Sequence, residues 1–505
     1  MKTLRYFFLA LALGAVTFQS CDKTDPDNGG GTEQPVTPTI TVPADIRQAD
    51  QFAIDLLSSY YLWTREISND IKQLTPDTCK FPKAVVNKIR YHQGTKEVDH
   101  WTSLTDDLSS YTNSVQGLGL TYGYDLQAGR IANKEGYYFL IVSYVVKDGP
   151  AEKAGLKRGD LIMSLDGKDI TANNIYDAFN TSKVKLGIAH LTQDGYLGAV
   201  EKEVELTAVD MWENPILLSK TFDVNGKKVG YLVYNSFDLN SAALLPDVFR
   251  QFKADGIKEL ILDLRYNGGG YAFTELELAS MIAPPSVVAA EEIFQTEVYN
   301  SILTNAWKDD PEFQPDTRFT TTFKMDSGDV HIDENVADAN PGVEKLYVIV
   351  TGGSASASEG LIVGLMPYMP VTLIGKQTYG KYCAGYMLSP KQVYGEVSTF
   401  DYSKITKWGM YVMVSKFADK NGNNSAQPDG IPVNIDVADN TMDGFQLGDE
   451  DETMLKEALK AAGKVFTKSA QAVTGYRGMP VEPVEHGMPR GILIKTDVPK
   501  LDINH

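Results

Sequence analysis

The chain has 505 residues, 43% of them hydrophobic and 10% aromatic, enough to bury several cores and too apolar for a disordered polyelectrolyte. Its formal charge of −19 excludes a broad basic footprint, and with it a nucleic-acid surface. Three cysteines exclude a disulfide framework, and the six histidines form no metal-binding motif, so neither a metal nor another cofactor is expected.

Residues 1–20 read as an export signal: Lys2 and Arg5 precede an apolar run from Tyr6 to Phe18 that is too short for a permanent span. Phe18-Gln19-Ser20-Cys21 then resembles a bacterial lipoprotein cleavage site, which would make Cys21 a lipidated N-terminus. Such an anchor would be the only tie to a membrane, on an exported protein of the cell envelope. Residues 21–44, rich in Asp, Gly, Thr and Pro, are expected to form no packed element and to act as a flexible tether. Over 45–110, Phe52, Leu56, Tyr60 and Trp63 recur at helical spacing, which predicts a helical region whose aromatic stripe is core.

Residues 111–210 hold short apolar runs, such as Tyr137 to Val142 and Asp160 to Leu165, separated by turn signals, which predicts a β-rich module with one short helix. The string Asp148-Gly149-Pro150-Ala151-Glu152-Lys153-Ala154-Gly155-Leu156-Lys157-Arg158-Gly159-Asp160-Leu161-Ile162 resembles the PDZ signature, and Gly117-Leu118-Gly119-Leu120 matches that family's upstream loop. The resemblance implies a domain that adds an extended peptide to a sheet edge and holds its terminal carboxylate on the backbone amides of that loop.

From 211 to 468, strands (Val229 to Tyr234, Lys258 to Leu264, Lys345 to Val350, Val371 to Gly375) alternate with helical stretches near 241–253, 272–282 and 358–368, which predicts an α/β core. Gly352-Gly353-Ser354-Ala355-Ser356-Ala357-Ser358-Glu359-Gly360 joins a strand to a helix through small residues, as an exposed nucleophile beside helix N-terminal amides requires. Chemistry alone leaves Ser354, Ser356 and Ser358 all open. Lys381 follows after one helix, which travels roughly 15 Å away, and one strand, which returns about as far. An uncharged lysine there can serve as a base.

These segments resemble the C-terminal processing peptidases, tail-specific proteases with a Ser/Lys dyad, over roughly residues 99–440. Ser354 to Glu359 and Gly375-Lys376-Gln377-Thr378-Tyr379-Gly380-Lys381 meet the family pattern, which implies Ser356 as nucleophile and Lys381 as base. Leu262-Asp263-Leu264-Arg265-Tyr266-Asn267-Gly268-Gly269-Gly270 resembles the element that lends an amide to the oxyanion hole, implying Gly268 or Gly269 together with Ala357. The implied fold is α/β (α+β multidomain): a helical N-terminal region, a PDZ domain and a crotonase/Clp-protease-like catalytic core. The implied partners are protein or peptide substrates with free C-termini. One departure stands out, because many members carry a glutamine four residues after the lysine and this chain has Gly385. Gln377, Tyr379 and Glu359 are the candidates for that missing partner. The loss motivates a rival expectation, a protein that binds C-terminal tails without cutting them. An acyl-CoA enzyme of the crotonase class would also use a glycine-lined oxyanion hole, but it fits neither the PDZ signature nor the export signal. Residues 469–505 are polar and punctuated by Pro and Gly, and no element is predicted there.

Overall fold

The computed structural model describes residues 42–466, apart from Thr78, Asn133, 311–312, 328–329 and 396–398, and beyond them residues 481–484, 492–496, Leu501 and Ile503. The expected export signal, Cys21 and nearly all of the tether lie outside the described residues. No helix among the described residues is long and apolar enough to cross a membrane.

The N-terminal region opens with helix α1 (Ala44–Ser59), whose Ala49, Phe52, Ala53, Leu56 and Leu57 form one buried face. Tyr60 and Trp63, just beyond the helix, extend that face. Helix α2 (Pro82–Ile89) starts on a proline that has no N–H to waste, strand β1 (Ser103–Thr105) follows, and Asp107 caps α3 (Leu108–Val115) by accepting the Ser110 N–H at 2.9 Å.

Next comes an antiparallel module. Its strands are β2 (Leu118–Thr121), β3 (Tyr124–Arg130), β4 (Tyr137–Val145), β5 (Leu161–Leu165), β6 (Lys168–Thr171), β7 (Lys183–Ala189) and β8 (Lys202–Thr207). Two short helices, α4 (Pro150–Lys153) and α5 (Asp177–Asn180), interrupt them where one was expected. Leu126, Leu140, Val142, Ile162 and Leu186 make the module's own core, each such side chain contributing about 1.5–3 kcal/mol on burial. Strand β9 (Val209–Trp212) leaves the module and pairs back on β2.

The third region is layered. Its central sheet runs β10 (Ile216–Val224), β11 (Lys227–Tyr234), β12 (Glu259–Asp263), β16 (Lys345–Val350), β17 (Val371–Gly375) and β20 (Ile435–Asp436), parallel except for the first pair. Alternate residues face two cores, so both faces are apolar: Tyr231, Ile261 and Tyr347 pack on one side with helix α9 (Thr453–Ala461), and Leu232, Leu262 and Val348 on the other with α6 (Leu245–Asp255). Between these elements the chain builds a second sheet. It contains β13 (Gly269–Tyr271), β14 (Ile293–Tyr299), β15 (Asp316–Arg318), β18 (Cys383–Leu388), β19 (Gly409–Ala418) and, from the C-terminal region, β22 (Ile492–Ile494), in the order β13–β22–β18–β19–β14–β15. β1 adds to β19, which brings the N-terminal region onto this sheet. Helix α7 (Ala272–Ile282) follows β13, and α8 (Ala357–Leu365) follows β16. A short strand β21 (Glu482–Pro483) pairs with β3, so the segment for which no element was predicted supplies two strands.

A buried ionic network joins the module to this third region. Arg158, at the turn into β5, reaches Asp439 at 2.6 Å. Arg265, at the end of β12, reaches Asp439 at 3.0 Å, Asp263 at 2.7 Å and Glu452 at 2.7 Å, and the Tyr266 hydroxyl donates to Asp439 at 2.6 Å. Burial alone would raise the Asp439 carboxyl; the Arg158 and Arg265 guanidiniums outweigh it and hold it well below the usual carboxylate range.

Candidate active site

The turn between β16 and α8 carries three serines, and their hydroxyls have different fates. Ser354 donates its hydroxyl to the Leu264 carbonyl at 2.7 Å, and Ser358 donates to the Asn267 carbonyl at 3.0 Å. Ser356 Oγ alone is buried with no hydrogen-bond partner among the described residues. Its backbone sits at φ 61°, ψ −111°, a strained conformation for a residue with a side chain. Gly269 lies directly behind it: a Cβ on Gly269 would stand 2.9 Å from Ser356 Cβ and 2.3 Å from the Ile492 carbonyl oxygen, so only glycine fits.

Lys381 comes back to the same place by the path that its sequence position predicts, through α8 and β17. One residue links the two. Glu359 Oε2 accepts the Ser356 N–H and the Lys381 N–H, each at 2.9 Å, so the two backbone nitrogens share a single oxygen. Its Oε1 takes the Gly380 N–H at 2.7 Å and the Thr378 hydroxyl at 2.6 Å. Burial pushes the Glu359 carboxyl up to about 7, against the pull of these four donors. Of the three candidates for the missing partner, Glu359 is therefore the one that touches both segments. Gln377 instead donates to the Asp429 carbonyl at 2.7 Å, and Tyr379 turns its ring toward Trp101.

The Lys381 side chain is fully buried, and burial pushes its ammonium down to about 8. Among the described residues no carboxylate forms an ion pair with it. Its Nζ donates to the Tyr411 hydroxyl at 2.9 Å and lies 5.3 Å from the centre of the Trp101 ring. Asp99 steadies that tryptophan, accepting the Trp101 N–H at 2.9 Å and the Tyr61 hydroxyl at 2.8 Å. Tyr411 is the residue that the sequence pattern missed. A Cβ on Gly385 would meet Tyr411 Cε2 at 2.7 Å and Met413 Cε at 2.6 Å, so the space of the absent glutamine is filled by the ring whose hydroxyl holds the lysine. Cys383, two residues after the lysine, is buried, and that burial pushes its thiol up to about 12.

Two glycines were open as amide donors, and the hydrogen bonds separate them. The Gly269 N–H is committed to Asn267 Oδ1 at 2.9 Å, a correction to its expected role. The Gly268 and Ala357 N–H groups carry no hydrogen bond among the described residues. Asn267 braces this corner, its carbonyl also accepting the Ala355 N–H at 3.1 Å.

At the other expected site, Leu118, Gly119 and Leu120 form strand β2 rather than a loop, because β9 pairs with them, Trp212 opposite Leu118 and Asp210 opposite Leu120. Gly117 alone occupies a turn, at φ 64°, with its N–H on the Ser114 carbonyl at 3.1 Å. Leu120 remains 59% exposed, so an apolar side chain is presented to solvent at this edge.

Residues 228–437 match the model of peptidase family S41, and residues 141–182 match that of the PDZ domain. A chloroplastic C-terminal processing peptidase of Tetradesmus obliquus is 25% identical over 284 residues, 53% of this chain and 52% of its own length. A CtpA-like serine protease of Staphylococcus haemolyticus is 25% identical over 279 residues, 55% of this chain and 47% of its own. The chain thus spans about half the length of the curated relatives it matches. In fold it is similar to the crystal structure of an S41 protease from Bacteroides fragilis, with a TM-score of 0.62 at 22% identity over 81% of this chain and 96% of that one. Residues 228–437 are thus similar to peptidase family S41, and residues 141–182 ahead of them to the PDZ domain.

Proposed function

We propose that the chain is a serine-type endopeptidase with Ser356 as nucleophile and Lys381 as general base. The observation that carries this reading is a buried lysine without a carboxylate partner, fixed through Glu359 to the backbone of the one serine in its segment whose hydroxyl is free. Ser356 Oγ attacks the peptide carbonyl while its proton passes to the neutral Lys381 Nζ, which swings from Tyr411 on its flexible stem. Collapse of the tetrahedral intermediate breaks the C–N bond and returns that proton to the leaving amine. A water activated by the same Nζ then releases the acyl group. The Gly268 and Ala357 amides, both unengaged, are the donors for the oxyanion.

On this reading the PDZ domain selects substrates by adding their extended C-terminal tails to a sheet edge beside Gly117 to Leu120. The substrates are exported proteins with free C-termini, and Cys21 anchors the enzyme to the cell envelope by lipid. A second reading, a tail-binding protein on a peptidase scaffold, is favoured by one observation: Lys381 Nζ is bonded to Tyr411 and not to Ser356.

The test uses residues 42–505 and an unfolded protein with an apolar C-terminus, beside Ser356→Ala and Lys381→Ala. Cleavage by the parent and none by the folded variants is the expected result. Binding by all three without cleavage would hand the case to the second reading.

A further inference from the structure

Ser356 and Lys381 have no exposed surface, and the chain's own C-terminal segment is built into the sheet beside them. Strand β22 lies parallel between β13 and β18, with Ile492 opposite Gly269 and Leu493 opposite Gly270 on one side, and Ile494 opposite Gly385 on the other. Its neighbours are the strand that follows the glycine turn behind the nucleophile and the strand that begins just after Lys381. The Ile492 N–H donates to the Gly268 carbonyl at 3.3 Å, and the Lys495 N–H donates to the Gly385 carbonyl at 3.0 Å.

Leu493 is tied to the lysine's own partner. Its N–H donates to the Tyr411 hydroxyl at 3.0 Å, and its carbonyl accepts that hydroxyl's proton at 2.9 Å. With both groups on one oxygen, the segment fixes the tyrosine that in turn holds Lys381 Nζ. All three side chains of β22 are buried. Earlier in the same segment, β21 adds to the outer edge of β3, Glu482 opposite Ala128, and the Val484 N–H donates to the Leu126 carbonyl at 3.1 Å. One stretch of chain therefore completes the PDZ sheet and then the sheet at the candidate active site.

We propose that the slot between β13 and β18 is a binding site for an extended, apolar stretch of polypeptide, and that residues 492–494 are its intramolecular occupant, which an incoming chain must displace. The proposal rests on the peptidase reading only in calling that incoming chain a substrate. With β22 withdrawn, β13 and β18 present unpaired N–H and C=O groups, and main-chain hydrogen bonding to such edges tolerates many sequences. The resident strand wins in the resting chain because a tethered segment acts at an effective concentration of about millimolar. A competitor held on the outer edge of β3 would arrive with a similar advantage, and would remove β21 on the way.

The experiment uses the full chain carrying Ser356→Ala, with a recognition sequence for a specific endoprotease inserted between Val484 and Ile492 and cut after folding. The probe is a fluorescein-labelled hexapeptide of the sequence Gly-Ile-Leu-Ile-Lys-Thr, followed by anisotropy after long exchange in excess peptide. The cut protein should bind it at least about thirtyfold more tightly than the uncut one, since cutting abolishes the tether. Leu493→Pro in an uncut chain, which removes the N–H that Tyr411 accepts, should give a gain in the same direction without any cut. Equal binding by cut and uncut protein, with the parent's melting transition retained in both, would overturn the proposal. If the cut chain with Ser356 intact binds the peptide yet hydrolyses nothing, the slot stands and the peptidase reading falls.

Discussion

Replacing Lys381 by methionine should stabilise the protein at neutral pH while abolishing its activity. Burial lowers the lysine from 10.5 to about 8, and at about 1.4 kcal/mol per unit this shift corresponds to roughly 3 kcal/mol carried by the ammonium in the folded state. Methionine fills a similar unbranched volume without charge, but it forfeits the bond to Tyr411, worth about 1.5 kcal/mol or somewhat more. The net gain at pH 7 is then about 1–2 kcal/mol. The sign reverses with alkali: the folded pKa lies below the unfolded one, so the unfolded chain binds the extra proton between about 8 and 10.5, and the parent gains stability as pH rises through that window. Urea unfolding followed by tryptophan fluorescence, at pH 7 and pH 10 in a Ser356→Ala background, reads both values. A methionine variant that is less stable by the same amount at both pH values would refute a desolvated cation at this position, and with it the basis for a lysine base.

The rate of the parent should rise with pH to a plateau, with a midpoint near 8 in kcat/KM, as the Lys381 ammonium loses its proton. Tyr411→Phe removes the hydroxyl that positions Nζ; kcat should fall about tenfold or more with KM little changed and the midpoint displaced, which a merely structural role would not produce. Gly385→Gln introduces the residue usual in the C-terminal processing peptidases that the sequence resembles but places a Cβ 2.7 Å from the Tyr411 ring, so it should lower the melting temperature rather than raise activity. Arg158→Met strips Asp439 of one of its two cations and should cost about 3 kcal/mol at pH 7 in denaturant titrations. Because the folded carboxyl of Asp439 is depressed, its contribution is full above the ordinary carboxylate range and disappears as pH falls through the folded value, so the gap to the parent should narrow in acid.

The strand-to-helix junction at Ser356, the return of Lys381 and the PDZ string were legible because each is a local pattern: small residues where a backbone must approach closely, apolar runs at the sheet period, a helix between turn glycines. Ser356 could not be told from Ser354 and Ser358 locally, since what separates them is the Leu264 and Asn267 carbonyls, which arrive from the turn after β12. Tyr411 left no signal at all, one aromatic among the apolar residues of β19, and its role follows from a side chain that Gly385 lacks across the sheet. The strands at 482–483 and 492–494 are too short to carry a period, and their stability is borrowed from edges built elsewhere.

The arginine at the turn into β5 constrains how the molecule can move. Arg158 and Asp439 share one burial site, and pulling them apart would expose two desolvated ions to each other's absence before water could reach either. A domain joined to its neighbour by such a contact behaves as a rigid platform rather than a swinging arm, so opening motions are cheaper in the three-residue and two-residue strands of the C-terminal segment than at the domain boundary. Regulation of access would then be a matter of which chain end occupies a fixed groove, and variation among relatives would concentrate in that end while the ionic joint stays constant.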